Sequence, residues 1–122
     1  MRSIKHCMSD LKSAPDNTLT ANFLFPADFL GFKGHFPGKP ILPGVCEIQA
    51  ALLMLEESKK KNILLKEIVQ VKFFSPVSCG QKLTFKLEEK PELNGEVSIK
   101  GIMISEENKI AEINLRVNIV NK

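Results

Sequence analysis

The chain has 122 residues and a formal charge of +3, from 17 basic and 14 acidic side chains. That length suits a single domain burying roughly two-thirds of its unfolded surface; with 43% hydrophobic and 25% charged residues the composition is globular rather than disordered, and the small basic excess gives no reason to expect nucleic acid. No apolar run approaches the roughly 18 residues of a membrane span, and the first stretch, MRSIKHCMSDLKS, lacks the apolar segment of a secretory signal, so no membrane span and a cytoplasmic location are expected.

Residues 1–13 are weakly patterned and fit either an edge strand or a short helix. Ala14-Pro15-Asp16-Asn17 reads as a turn. From Thr18 to Phe25 the chain alternates, Leu19, Ala21, Phe23 and Phe25 against Thr18, Thr20 and Asn22, which is the pattern of a half-buried strand, and Pro26 stops it. Ala27 to Lys33 brings Phe29, Leu30 and Phe32 close together, an apolar lead-in to a loop.

That loop, Gly34 to Gly44, holds Pro37, Pro40 and Pro43 together with Gly34, Gly38 and Gly44 in eleven residues. Proline stiffens such a loop and glycine lets it turn, so it should keep a fixed shape around His35. Gly44 to Ser58 is then free of proline and internal glycine and rich in Leu, Ala, Met and Glu, which predicts a helix starting at Pro43-Gly44. Its unpaired N–H groups and the positive end of its dipole face back toward the histidine loop. Val45, Ile48, Leu52 and Leu55 form one stripe and Ala50, Ala51, Leu53 and Met54 cover much of the rest, so the helix should be buried nearly all round. Glu47 and Gln49 are the polar exceptions, and two residues along a helix is about 200° of rotation, which aims them in nearly opposite directions.

Lys59, Lys60 and Lys61 come next, either as a solvated helix end or, with Lys33 and Lys39, as a basic patch that steers an acidic partner. Four strands are expected after them. Ile63 to Phe74 alternates over Ile63, Leu65, Val69, Val71 and Phe73, and Ser75 to Gly80 turns it. Gln81 to Glu89 points Leu83, Phe85 and Leu87 inward, and Asn94-Gly95 is a hairpin signal. Val97 to Ile104 and Lys109 to Val120 complete a four-stranded antiparallel meander, the last with Ala111, Ile113, Leu115, Val117 and Ile119 on one face. One strand, one buried helix and this meander make an α+β arrangement. Cys7, Cys46 and Cys79 are odd in number, widely spaced and without a CxxC pair, which predicts reduced thiols rather than a disulfide framework or zinc site.

The segment His35-Phe36-Pro37-Gly38-Lys39-Pro40-Ile41-Leu42-Pro43-Gly44-Val45 closely resembles the active-site segment of the (3R)-hydroxyacyl-[acyl carrier protein] dehydratases of the FabZ and FabA type, and a looser resemblance runs from about Ala21 to Val120. The resemblance implies a single hot-dog domain over residues 1–122, an antiparallel sheet wrapped around one central helix. It implies a homodimer, or a higher oligomer of dimers, with sites between subunits, a partner in acyl carrier protein loaded with a 3-hydroxyacyl thioester, and neither metal nor organic cofactor. Aromatics near Phe29 and Phe32 would line an acyl channel.

By the same resemblance His35 is one half of a catalytic pair, Gly44 offers its N–H to the thioester oxygen, and a Glu or Asp should stand fourteen positions after the histidine. That position is Gln49. The chemistry suits these residues: a histidine titrates near neutrality and can take the proton next to a thioester, and a glycine N–H at a helix start can meet a developing oxyanion. Gln49 can hold a hydroxyl or water but cannot donate a proton as an acid does. Glu47, aimed away from Gln49, is not expected to stand in for it. Three readings are open: a dehydratase working with His35 and a Gln-positioned hydroxyl or water, a non-catalytic acyl-carrier-binding subunit completed by a homologue, and an acyl thioesterase. The first is preferred.

Overall fold

The computed structural model describes residues 4–29, 41–92 and 95–120. Both alternatives for the amino-terminal stretch are realised in succession: a one-turn helix α1 (Ile4–Cys7) runs directly into strand β1 (Met8–Ala14). The expected turn comes next, with Asn17 in the left-handed region at φ 64°, a conformation its short side chain tolerates. The remaining elements are β2 (Thr18–Leu24), α2 (Gly44–Lys59), β3 (Asn62–Phe73), β4 (Lys82–Pro91), β5 (Glu96–Ser105) and β6 (Asn108–Val120).

All six strands form one antiparallel sheet in the order β1-β2-β4-β5-β6-β3. Only β4, β5 and β6 make the expected meander. β3 does not lie beside β4; the chain from Phe74 to Gln81 crosses over, letting β4 pair with β2 while β3 takes the far edge beside β6. The alternating residues face inward as their period requires: Leu19, Ala21 and Phe23 of β2, Leu83, Phe85 and Leu87 of β4, and Ala111, Ile113, Leu115 and Val117 of β6 are all buried. They join Cys46, Ala50, Ala51, Met54 and Leu55 of α2 in one core. One helix held against one curved antiparallel sheet is the hot-dog fold.

The buried face of α2 is not the predicted stripe. Of that stripe Leu55 is fully buried, Ile48 and Leu52 are half-buried against the core and Val45 is exposed, while Ala50, Ala51 and Met54 from the rest of the helix are fully buried. The helix stops where Lys60 turns left-handed at φ 56° and donates its N–H to the Glu56 carbonyl at 2.9 Å. Lys59 then pairs with Glu89 at 2.7 Å and Lys60 with Glu57 at 3.8 Å, so two of the three lysines are tied to acids of this chain, as a solvated helix end would be. Lys33 and Lys39 lie outside the described residues.

The two sheet edges differ. β1 is short and polar, and its register shifts between Ser9 and Lys12 around a left-handed Asp10, whose carboxylate accepts from the Asn22 amide at 3.1 Å. β3 is long and apolar on its surface: Leu64, Ile68, Val69 and Phe73 are each about half exposed. The sequence pattern places Val69 and Phe73 inward; the register shift between Ile68 and Gln70 takes Val69 out of the alternation, whereas Phe73, paired with the buried Ala111, keeps its ring against Gly44 of α2 while remaining half exposed. Among the described residues no helix is long and apolar enough to cross a membrane.

Candidate active site

The start of α2 is where the loop, the helix and the β3–β4 connection meet. Pro43 enters in extended backbone at φ −62° and ψ 142°, and among the described residues no side chain caps the helix. Gly44, the first helical residue, therefore presents a main-chain N–H that the helix itself does not use. The approach is pinned from the side: Leu42 donates its N–H to the Val77 carbonyl at 2.8 Å, and Ile41 bridges to Ser78. The other wall is anchored to β6 by Phe74, whose N–H donates to the Ile110 carbonyl at 2.8 Å.

Between these walls lies a cavity of about 330 Å³ lined by Ile41, Leu42, Gly44, Glu47 and the run Phe73 to Pro76. Among the described residues its side-chain lining is apolar but for Glu47 and Ser75, and its size is at the lower end for small-molecule sites. A Cβ at Gly44 would lie 2.6 Å from Phe73 Cζ, because the ring packs against the helix backbone at this point.

Glu47 is the residue that the sequence pattern argues against, and it is the charged group the cavity contains. It is 3% exposed, and its Oε1 has no hydrogen-bond partner among the described residues. Burial pushes its carboxyl up to about 7. Glu47 shares its helix face with Ala50, Ala51 and Met54, each 0% exposed, and only this packing marks the face as the inner one. Beside it, burial first and the neighbouring Glu47 second raise Cys46, so that thiol stays protonated and inert. Cys7 and Cys46 are buried, Cys79 is half-buried, and none of the three is in a disulfide.

Gln49 points the other way, as the helical rotation requires, and is exposed on the outer side of α2. Within one chain it does not meet Gly44 and Glu47 in the cavity wall. His35 lies outside the described residues, as do Leu30 and Phe32. Phe29 is core packing: its ring stacks at a tilt on Phe25 with centroids 4.8 Å apart. Among the described residues no group of three or more His, Cys, Asp and Glu side chains is placed to hold a metal ion.

Comparison with known proteins gives this geometry a setting. Residues 11–112 match the family described as ApeI-like, ApeI dehydratase. The chain is 34% identical over 94 residues to the 3-hydroxyacyl-[acyl-carrier-protein] dehydratase FabZ of Petrotoga mobilis, covering 72% of this chain and 68% of that protein. Against the enzyme of the same name from a Nitratiruptor species it is 35% identical over 104 residues, covering 75% and 70%. In structure it is similar to a chain of the dehydratase heterocomplex ApeI:P from Xenorhabdus doucetiae, with a TM-score of 0.75 and 18% identity over 91% of this chain and 96% of that one, a likeness of fold. The match across most of the chain and the hot-dog sheet around α2 together make this protein a member of the ApeI-like dehydratase family, related to FabZ.

Proposed function

We propose that this protein is a cytoplasmic dehydratase of 3-hydroxyacyl thioesters carried on acyl carrier protein, acting as a homodimer. The observation that carries the reading is the uncapped helix start opening onto the cavity. Gly44 can donate its N–H to the thioester oxygen as negative charge develops there. His35, on the loop leading into this helix, takes the Cα proton. Gln49 holds the departing hydroxyl or a water by its amide.

The dimer is supported by β3, an edge strand with Leu64, Ile68, Val69 and Phe73 half exposed and only β6 beside it. Such an edge is suited to being covered by another strand. Its formation would bring His35 of the partner subunit toward Gln49, which one chain leaves on its outer surface.

The test is turnover of a 3-hydroxyacyl thioester of acyl carrier protein by the purified protein, with enoyl product and free acid measured separately. Enoyl product that disappears in His35→Ala supports the dehydratase; free acid alone would replace it with a thioesterase. A second reading, an acyl-carrier-binding subunit completed by a homologue, is favoured by the amide at Gln49 and by the heterocomplex its structural neighbour forms. It predicts no product from this chain alone and product when a homologous subunit is added.

A further inference from the structure

Two polar side chains are buried among the described residues. Ser105 is accounted for, since its hydroxyl donates to the Lys82 carbonyl at 2.9 Å. Glu47 has no such structural duty. It makes no ion pair among the described residues, it stands one position too far into the helix for a capping box, and one of its oxygens is buried without a partner. An unpaired buried carboxyl costs stability, and an apolar residue at this point of the core would cost none. A group kept at such a cost in the wall of a cavity is where function is to be sought.

We propose, resting on the dehydratase reading, that Glu47 is the proton donor of the reaction, taking the task for which Gln49 has no acid to offer. Glu47 and Gly44 line the same cavity and come from the same chain, so a thioester whose oxygen meets the Gly44 N–H brings its β-carbon into the cavity that Glu47 lines. In the reaction the Cα–H bond breaks and its proton goes to His35. The electron pair forms the Cα–Cβ double bond, the Cβ–O bond breaks, and the hydroxyl leaves as water with the Glu47 proton. The proton on His35 then returns to Glu47 through solvent, and the site is restored.

The surroundings keep the donor loaded. Ile41, Leu42, Phe73, Phe74, Ser75 and Pro76 bring no titratable group to the cavity, and on its own helix the nearest is Cys46, a protonated thiol. With its carboxyl raised to about 7 by burial, Glu47 carries a proton for much of the time at neutral pH, where an ordinary glutamate would not.

The experiment measures kcat and KM for a 3-hydroxyacyl thioester of acyl carrier protein from pH 5 to 9, in the wild type, Glu47→Gln and Glu47→Asp. The wild type should lose kcat above about pH 7 as the donor ionises. Glu47→Gln should lose about 10²-fold or more in kcat with KM little changed, and Glu47→Asp should retain part of it. Wild-type kcat that stays flat through pH 7 to 9, or full activity in a folded Glu47→Gln, overturns the role of Glu47 and leaves the dehydratase reading standing. A wild type that yields no enoyl product at any pH overturns both. The wild-type profile decides the matter even where a variant fails to fold.

Discussion

The burial of Glu47 should be readable in stability alone, without substrate. Its carboxyl titrates near 4.5 when the chain is unfolded and at about 7 when folded. Between those values the folded protein holds a proton that the unfolded chain releases. The contribution of this proton is therefore fully present below pH 4.5 and is lost as the pH rises through about 7. At about 1.4 kcal/mol for each pH unit, the loss across that window is about 3 kcal/mol, a sizeable part of the stability of a domain this size. Glu47→Gln has nothing to titrate, so every other group cancels when the two proteins are compared. Urea unfolding at pH 4.5, 5.5, 6.5 and 8 should show the wild type falling relative to Glu47→Gln by about 3 kcal/mol in total, with the amide variant the more stable above pH 7. A difference that does not change with pH would mean that the carboxyl is hydrated or paired in the folded protein. Glu47 would then not be the buried, unpaired carboxyl described above.

Three other substitutions probe the packing of the sheet, the cavity floor and the open edge. Gly101→Ala places a Cβ 2.8 Å from Leu87 Cδ2 and 2.9 Å from Phe85, both fully buried, and should cost about 1–3 kcal/mol in urea unfolding. Gly44→Ala meets only the tip of the half-exposed Phe73 ring, so stability should change by less than about 1 kcal/mol while dehydratase turnover falls at least about tenfold, because the methyl group enters the cavity. Ile68→Lys together with Val69→Lys charges the exposed surface of β3 and should turn a dimer into a monomer in sedimentation, with the circular dichroism of the sheet retained.

Legible in the sequence is whatever one buried face imposes on local pattern. Leu83, Phe85 and Leu87, or Ala111 to Val117, alternate because a strand with one wet side has no other choice, and their positions come from period alone. The place of β3 is not legible, because strand order depends on a crossover from Phe74 to Gln81 that leaves no mark in periodicity. The face of α2 is hidden for a different reason. A helix apolar nearly all round offers no contrast, and bulk points to Val45 and Ile48 where the sheet selects the small Ala50 and Ala51. Glu47 goes with that face: helix geometry gives the rotation separating it from Gln49, and only the packing tells which of the two turns into the core. The helix start at Gly44 is legible because Pro43 ends the loop and a run of good helix formers without proline or glycine follows.

The unequal edges of the sheet bear on how many copies can assemble. An apolar strand open along its length invites another strand, and if both margins of a sheet did so, each addition would leave a fresh margin and growth would not end. Here the margin at β1 is broken by the left-handed Asp10 and carries Ser9, Lys12 and Ser13 exposed, so a twisted, polar ladder faces any strand that approaches it. Joining at β3 uses up the receptive side of both molecules at once and leaves the pair bounded by two refusing ends. In the proposed dimer the kink at Asp10 would thereby act as a terminator: it makes the sheet countable, so that an assembly joined at β3 would stop at a closed particle where it would otherwise grow into a fibre.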